Sequence, residues 1–327
     1  MEPQAGGPAT EAIEAALRPR ALGRTGLRET PVGIGASPLG NVPVYGYETP
    51  EDRAIETLLA TFESRFNFLD TAAGYGDGLS ERRIGEAIRR RGGIPDGFIV
   101  ATKVDAHPVT RDYSAAQVRR CAEESMERLG IGHIPLLYLH DPEVASFDDL
   151  AAPGGAVAEL VKLRDEGIAA HLGVAGGPVD LLRRYLDLGV FEVLLSHNRW
   201  TLLDRSADKL FDHAVDLGVG IVNAAPFGGG LLATGTGGRT TYAYTTAPPE
   251  LLAAVQRIEA ICAEARVPLA AAALQFSMRD PRVASTLVGV SRPERIVETE
   301  RLAAWPIDEE VWSRLAAVAT PPASWLY

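Results

Sequence analysis

The chain is poor in sulfur: its 327 residues hold two cysteines and three methionines. Cys121 and Cys262 both fall in helix-like stretches, so no disulfide framework is expected, and the pair reads as buried thiols of a reducing compartment. No run approaches the roughly 18 consecutive apolar residues that a membrane span needs. Residues 1–20 lack a basic stretch followed by an apolar core, so no secretory leader is read there and the expected location is cytoplasmic. Basic charge is scarce too. With 32 Lys and Arg against 43 Asp and Glu, the net charge of −11 disfavours nucleic acid or an anionic membrane as partner. His107, His133, His171, His197 and His213 show no metal-like spacing, so no metal is expected. No exposed interface signal sets an oligomeric state.

What is present is an ordinary globular mixture, 46% hydrophobic and 23% charged. The length exceeds that of a common domain but suits an α/β barrel. Residues 1–20 mix Pro, Gly and Ala and are expected to be a poorly ordered extension, with a short helix around 12–17. From residue 21 to 327 a single domain alternates short apolar runs with amphipathic stretches, the pattern of repeated β–α units. Eight strands are predicted: TPVGIGA, FNFLDTA, FIVATKV, IPLLYLH, AAHLGVAG, FEVLLSHN, VGIVNAAP and ASTLVGV. Ser80 and Ser114 are expected to open the helices after the second and third strands, the latter stopping at Gly130. Eight units favour a closed (β/α)8 TIM barrel over a doubly wound sheet, whose GxGxxG fingerprint is broken here after Gly33 and Gly35.

Three strand candidates end on ionisable residues: Asp70, Lys103 and His140. In a parallel barrel all carboxyl ends open on one rim, so these residues are expected to meet there, joined by Tyr75 from TAAGYG. A tyrosine donates a proton at neutral pH but is a poor base unless its phenolate is stabilised. Lys103 could stabilise it, with Asp70 holding the ammonium charged, while a neutral His140 could polarise a carbonyl oxygen. Such a set suits proton exchange with an oxygen whose carbon gives or takes a hydride. No side chain carries a hydride, so a nicotinamide cofactor is implied.

The combination DTAAGYG at 70–76, ATK at 101–103 and LHD at 139–141 resembles the aldo-keto reductases. ALGRTGL, LLDR at 202–205, APFGGGLLATG and SRPERIVE extend the resemblance over residues 21 to 315. It implies a barrel in which Tyr75 is the general acid/base, Lys103 and Asp70 tune it, and His140 orients the substrate oxygen. The cofactor region departs from the family pattern. The usual Ser-Asn pair after strand five reads Ala175 and Gly176, and His197 stands where a glutamine commonly holds the carboxamide, with Asn198 beside it. The stacking aromatic after strand seven reads Ala224, leaving Phe227 as a substitute. The resemblance further implies cofactor contacts from Pro226, Phe227, Gly228, Gly230 and Leu231 in a loop whose bare backbone can approach a pyrophosphate. Ser291, Arg292 and Arg295 form an anion site at a helix start. Glu298 on that helix, with Gly289 in place of a basic residue, leans the reading to NAD over NADP.

SHNRWTLLDRSA and NAAPFGGGLLATG look most similar to the subgroup that oxidises L-fucose, L-galactose or D-threo-aldoses at C1, and to pyridoxal 4-dehydrogenase. Tyr45, Trp200 and the terminal SWLY are candidate walls of a sugar pocket. The competing readings are a general aldehyde or ketone reductase, a lyase using Lys103 as a Schiff-base amine, and a non-catalytic cofactor-binding regulator.

Overall fold

The computed structural model describes residues 8–46, 48–243, 245–318 and 320. Eight parallel strands close into a barrel: β1 (Val32–Gly35), β2 (Phe68–Asp70), β3 (Ile99–Val104), β4 (Ile134–His140), β5 (Ala169–Gly176), β6 (Val193–His197), β7 (Gly220–Ala224) and β8 (Val283–Gly289). Each pairs with its neighbour in sequence, and β8 closes the ring between β7 and β1. The predicted strands are all present: IPLLYLH and AAHLGVAG match to the residue, ASTLVGV is shifted back by one, and the others are trimmed by a residue or two. Both faces of each strand are buried, which is why they read as nearly continuous apolar runs. On β4, Leu136 and Tyr138 join an inner core with Phe68, Val193, Leu195, Val222 and Leu287, while Leu137 and Leu139 join the layer under the helices.

Helices Glu51–Glu63, Leu79–Arg91, Ala115–Leu129, Ala156–Asp165, Val179–Leu186 and Asp208–Asp216 follow the first six strands. Ser114 caps its helix as expected, its side chain accepting the Gln117 N–H. Ser80 does not cap. Helix Leu79–Arg91 starts after Gly78, and the Ser80 hydroxyl instead meets Thr71 Oγ1 at 2.8 Å and donates to Ala36 O at 3.0 Å, tying the loops after β1 and β2 together. A longer excursion after β7 carries three successive glycines and two helices, Pro249–Glu264 and Leu269–Met278, before β8. No described helix is long and apolar enough to cross a membrane.

The expectation of a loose N-terminus is corrected for residues 10–20. Helix Thr10–Ala16 is formed, Leu17 is buried in the outer core, and Arg20 donates to Met278 O and Val283 O, each at 2.9 Å. The run TEAIEAAL favours a helix, as expected around 12–17, and burial of Leu17 with a doubly used guanidinium ties the segment down. An antiparallel hairpin, Arg20–Ala21 with Arg28–Glu29, then closes the floor of the barrel. Its turn presses on the start of β7: a Cβ on Gly220 would lie 2.7 Å from Leu22 C and 2.8 Å from Gly23 N. Backbone cannot yield as a side chain tip can. Gly220→Ala is therefore expected to destabilise the protein by about 1–3 kcal/mol, read as a lowered urea midpoint with unchanged slope.

Candidate active site

Asp70 ends β2 and Lys103 lies one residue from the end of β3, both facing inward and nearly sealed from solvent, at 3% and 1% exposure. An ammonium has three protons to place, and Lys103 Nζ donates to Asp70 Oδ1 at 2.5 Å, Thr71 O at 2.7 Å and the Tyr75 hydroxyl at 3.1 Å. It also lies 4.7 Å from the Tyr75 ring centroid. Burial raises the Asp70 carboxyl above its ordinary value, and the Lys103 ammonium works against that rise. A lysine spent on three acceptors, one of them a carboxylate, is not the neutral amine a Schiff base needs.

Tyr75 is set by a tight turn over the rim. Its N–H donates to Ala72 O at 3.2 Å, and Gly76 follows at φ 65°. A Cβ on Gly40 would meet Tyr75 O at 2.6 Å, and one on Gly76 would run into Gly40 O, so only glycines let the loops after β1 and β2 touch here.

His140, at the end of β4, faces Tyr75 edge-on, with ring centroids 5.6 Å apart and planes at 81°. Its Nδ1 pairs with Asp105 Oδ1 at 2.7 Å, while Asp105 Oδ2 accepts the Gly74 N–H at 2.7 Å. One carboxylate thus holds both the imidazole and the tyrosine loop. It also fixes the proton on Nδ1, leaving Nε2 as the remaining ring nitrogen. Behind the ring, the Tyr113 hydroxyl accepts the His140 N–H at 3.0 Å and lies 2.7 Å from Val104 O and His140 O. Burial pulls the His140 pKa down, but Asp105 and Asp141 more than reverse it, and the net direction is up.

Across the rim, His197 ends β6 with Nε2 3.8 Å from Asp141 Oδ1, and Asn198 is buried beside it at φ 59°. Asp141, Glu143 and His197 bring their ligand atoms within 4.8 Å of one another. Burial would raise the Asp141 carboxyl, but His140 and His197 overcome it and hold it well below the carboxylate range. Burial and then Asp141 push Glu143 up. This donor set could take a divalent ion or the polar end of an organic ligand. Its members come from two loops, so no spacing in the sequence announces it. Thr71, Asp105, Tyr113, Asp141 and Glu143 were likewise not singled out, although Asp105 stands two residues beyond Lys103 and Asp141 directly after His140.

The other expected residues divide. Gly228–Gly230, all at positive φ, form a bare backbone turn after buried Pro226, and Ser291, Arg292, Arg295 and Glu298 gather at the carboxyl end of β8. The guanidinium groups at a helix start fit a phosphate-bearing cofactor, beside a glycine turn whose Gly228 and Gly230 N–H groups are themselves spent on Ala225 O and Phe227 O. Leu231 buries its side chain in the outer layer, so only its backbone is available. Phe227 is half-buried and packs on that same layer, while Ala224 takes the inward end of β7. Trp200 is a correction. Its ring lies 5.6 Å from those of Phe211 and Phe276 and 5.0 Å from the Arg282 guanidinium, lining a cavity of about 520 Å³ among outer helices with Trp312. The left-handed turn at Asn198 carries the chain over the rim, so Trp200 is not a wall of the mouth. Tyr45 closes the turn Pro43–Tyr45 after β1, with its side chain outside the described residues, as is SWLY.

A closed barrel of eight parallel strands with its ionisable cluster on the carboxyl rim is the architecture of TIM-barrel enzymes. The model of the Aldo/keto reductase family matches residues 31–320, and the chain belongs to that family, as an NAD(P)-dependent oxidoreductase of small carbonyl or sugar substrates. It is 33% identical to the L-galactose dehydrogenase of Arabidopsis thaliana, over 92% of this chain and 94% of that protein. It is 32% identical to both the pyridoxal 4-dehydrogenase of Microbacterium luteolum (90% and 96% covered) and the D-threo-aldose 1-dehydrogenase of a Pseudomonas species (92% and 98%). In structure, a holo-form aldo-keto reductase from Bacillus halodurans shares the fold with a TM-score of 0.76 at 23% identity, over 93% of this chain and 97% of that one.

The Asp105 carboxylate offers a direct check on this geometry. Asp105→Asn removes a charge that raises the His140 pKa, so the imidazole titration followed by NMR is expected to move to lower pH. An unmoved titration means that the pair does not form.

Proposed function

We propose that the enzyme oxidises an aldose or similar cyclic hemiacetal at C1 to the lactone, using NAD in preference to NADP. The observation that carries the reading is the Lys103 ammonium, held by Asp70 and donating to the Tyr75 hydroxyl at 3.1 Å. An ammonium hydrogen-bonded to a phenol favours the phenolate, which makes Tyr75 a base for the anomeric hydroxyl in oxidation and an acid in the reverse direction. His140, its Nδ1 proton held by Asp105, presents Nε2 to the same substrate oxygen and orients it. Bound nicotinamide supplies the hydride acceptor. The Leu231 backbone N–H, with Ser291 and Arg292, would hold its phosphates beside the turn shaped by Pro226, Gly228 and Gly230, and His197 and Asn198 would hold its carboxamide.

Relatives support the substrate class: three proteins at 32–33% identity over nine-tenths of the chain carry the names of L-galactose, D-threo-aldose and pyridoxal dehydrogenases. The rim agrees in charge. Around Lys103 it gathers Asp70, Asp105, Asp141 and Glu143, a surrounding suited to a neutral polyol and hostile to an anionic substrate. For the cofactor, Arg295 is already paired with Glu298 at 2.8 Å, which leaves less positive charge for a 2′-phosphate. Buried, unpaired Cys121 and Cys262 fit a reducing, cytoplasmic setting.

Reduced-nicotinamide absorbance with NAD⁺ or NADP⁺ and L-fucose, L-galactose, D-arabinose or pyridoxal tests the substrate class. Growth with one of these compounds and NAD⁺ is expected. Silence across the panel together with NADH consumption on simple aldehydes would replace the proposal with a carbonyl reductase. Tyr75→Phe removes the hydroxyl that carries the transferable proton and accepts from Lys103, so it is expected to lower turnover by about a hundredfold or more with unchanged cofactor affinity. Undiminished turnover in that variant sinks the assignment of Tyr75.

A further inference from the structure

Below the tetrad the barrel interior holds polar atoms that the chemistry above leaves unused. Glu29, in the floor hairpin, is 0% exposed, and neither of its carboxyl oxygens has a hydrogen-bond partner among the described protein groups. It shares a strand face with Leu27, which packs on the inner core, so the carboxyl points up into the barrel. The Tyr138 hydroxyl, Ser285 Oγ and Asp70 Oδ2 are unpartnered and buried in the same way. Tyr138 pairs in register with Lys103 and lays its ring over Gly173, where a Cβ would collide with it. Ser285 Oγ lies 3.2 Å from the position of a Cβ on Gly33, beside Phe68 and Leu287 of the inner core. The four groups therefore run from the floor to the underside of the tetrad.

Leaving one such group unpaired costs about 1–3 kcal/mol, and buried polar groups are almost always satisfied. A polar interior of this kind is where buried water sits. We propose that Glu29 is a positioning residue for the reaction: through Tyr138, Ser285 and enclosed water it sends a hydrogen bond to Asp70 Oδ2, fixing the charge that Asp70 and Lys103 present to Tyr75. Donation requires a proton on Glu29. Burial first, and then the Asp70 charge, push that carboxyl well above its ordinary value, in the direction of the protonated, donating form. The charged and titratable groups around the column are Lys103 on β3, Tyr138 and His140 on β4, and Tyr75 in the loop after β2. Arg20, opposite Glu29 in the hairpin, spends its guanidinium on Met278 O and Val283 O instead.

The inference rests on Tyr75 as the acid/base, and the test separates the two. Losing a donor raises a carboxylate's pKa, so the acidic limb of the single-turnover hydride-transfer rate is expected to move to higher pH in Glu29→Leu and Tyr138→Phe. The rate at neutral pH should fall about tenfold, while KM and cofactor affinity hold. Glu29→Gln, neutral and still a donor, is expected to keep both the rate and the profile. In the infrared, the wild type should show the C=O stretch of a buried carboxylic acid that Glu29→Gln lacks, a readout that does not depend on the leucine variant folding. A wild-type rate and limb in Glu29→Leu, or equal damage in Glu29→Gln, overturns the proposal, as does absence of that band. If Tyr75→Phe is inactive while Glu29→Leu behaves as wild type, only the column falls. If Tyr75→Phe retains its turnover, the acid/base assignment falls and the column's role falls with it.

Discussion

A lysine ammonium sealed inside the barrel is the constraint on which the rest of the site depends. Removing such an ion from water costs several kcal/mol even after relaxation, and the cost is offset only where every proton finds a good acceptor. Lys103 finds three. Asp70 must therefore end β2 rather than lie within it, and the backbone must turn at once so that Thr71 O points back at the ammonium. The same turn has to bring a phenol within reach, which forces the loops after β1 and β2 into contact at Gly40 and Gly76. An apolar pair of similar volume could fill the space as stably. What it could not do is bias a phenol toward its phenolate.

The second half of the site is anchored from the side rather than from below. Asp105 spans His140 and the N–H of Gly74, so the imidazole and the tyrosine loop move as one body. The Tyr113 hydroxyl locks the strand end that carries His140. Tyr75 is thus placed by two independent anchors: the buried ammonium acting on its hydroxyl and the half-exposed carboxylate acting on its backbone. The charges of the two anchors differ in sign: Lys103 brings an ammonium to the phenol hydroxyl, whereas Asp105 and Asp141 favour protonation of His140.

Much of this arrangement was legible in the chain, and the limits of that legibility are physical. Parallel strands buried on both faces announce themselves as apolar runs, and a barrel puts all their carboxyl ends on one rim, so Asp70, Lys103 and His140 could be brought together without coordinates. A rim assignment does not say which way the chain goes next. Trp200 follows β6 by three residues, yet the left-handed backbone at Asn198 takes it outside the wall to Phe211 and Phe276. Glu29 stands just before the first predicted strand, where nothing in the sequence marks it, and only the hairpin's pleat reveals that it faces inward. Ser80 looks like a cap because serines often are, but its hydroxyl is claimed by Ala36 O and Thr71. For Trp200 and Ser80 a local signal was overridden by a contact to a residue far along the chain.

The rim is also divided in kind. The carboxyl ends of β2, β3 and β4 supply Asp70, Lys103 and His140, while those of β1, β5, β7 and β8 supply Gly35, Ala175 with Gly176, Ala224 and Gly289. One arc is crowded with titratable groups, and the other carries small residues except at His197, which ends β6. The small-residue arc leaves the space in which a bound nicotinamide would be accepted, and the crowded arc carries the groups that would move the proton. The hydride moves to or from the substrate carbon and the proton to or from its oxygen, so the two partners have to reach one C–O bond from different directions. A barrel whose strand ends alternate between large and small at random could not provide this, whereas one divided into two arcs does so through the closure of its own sheet.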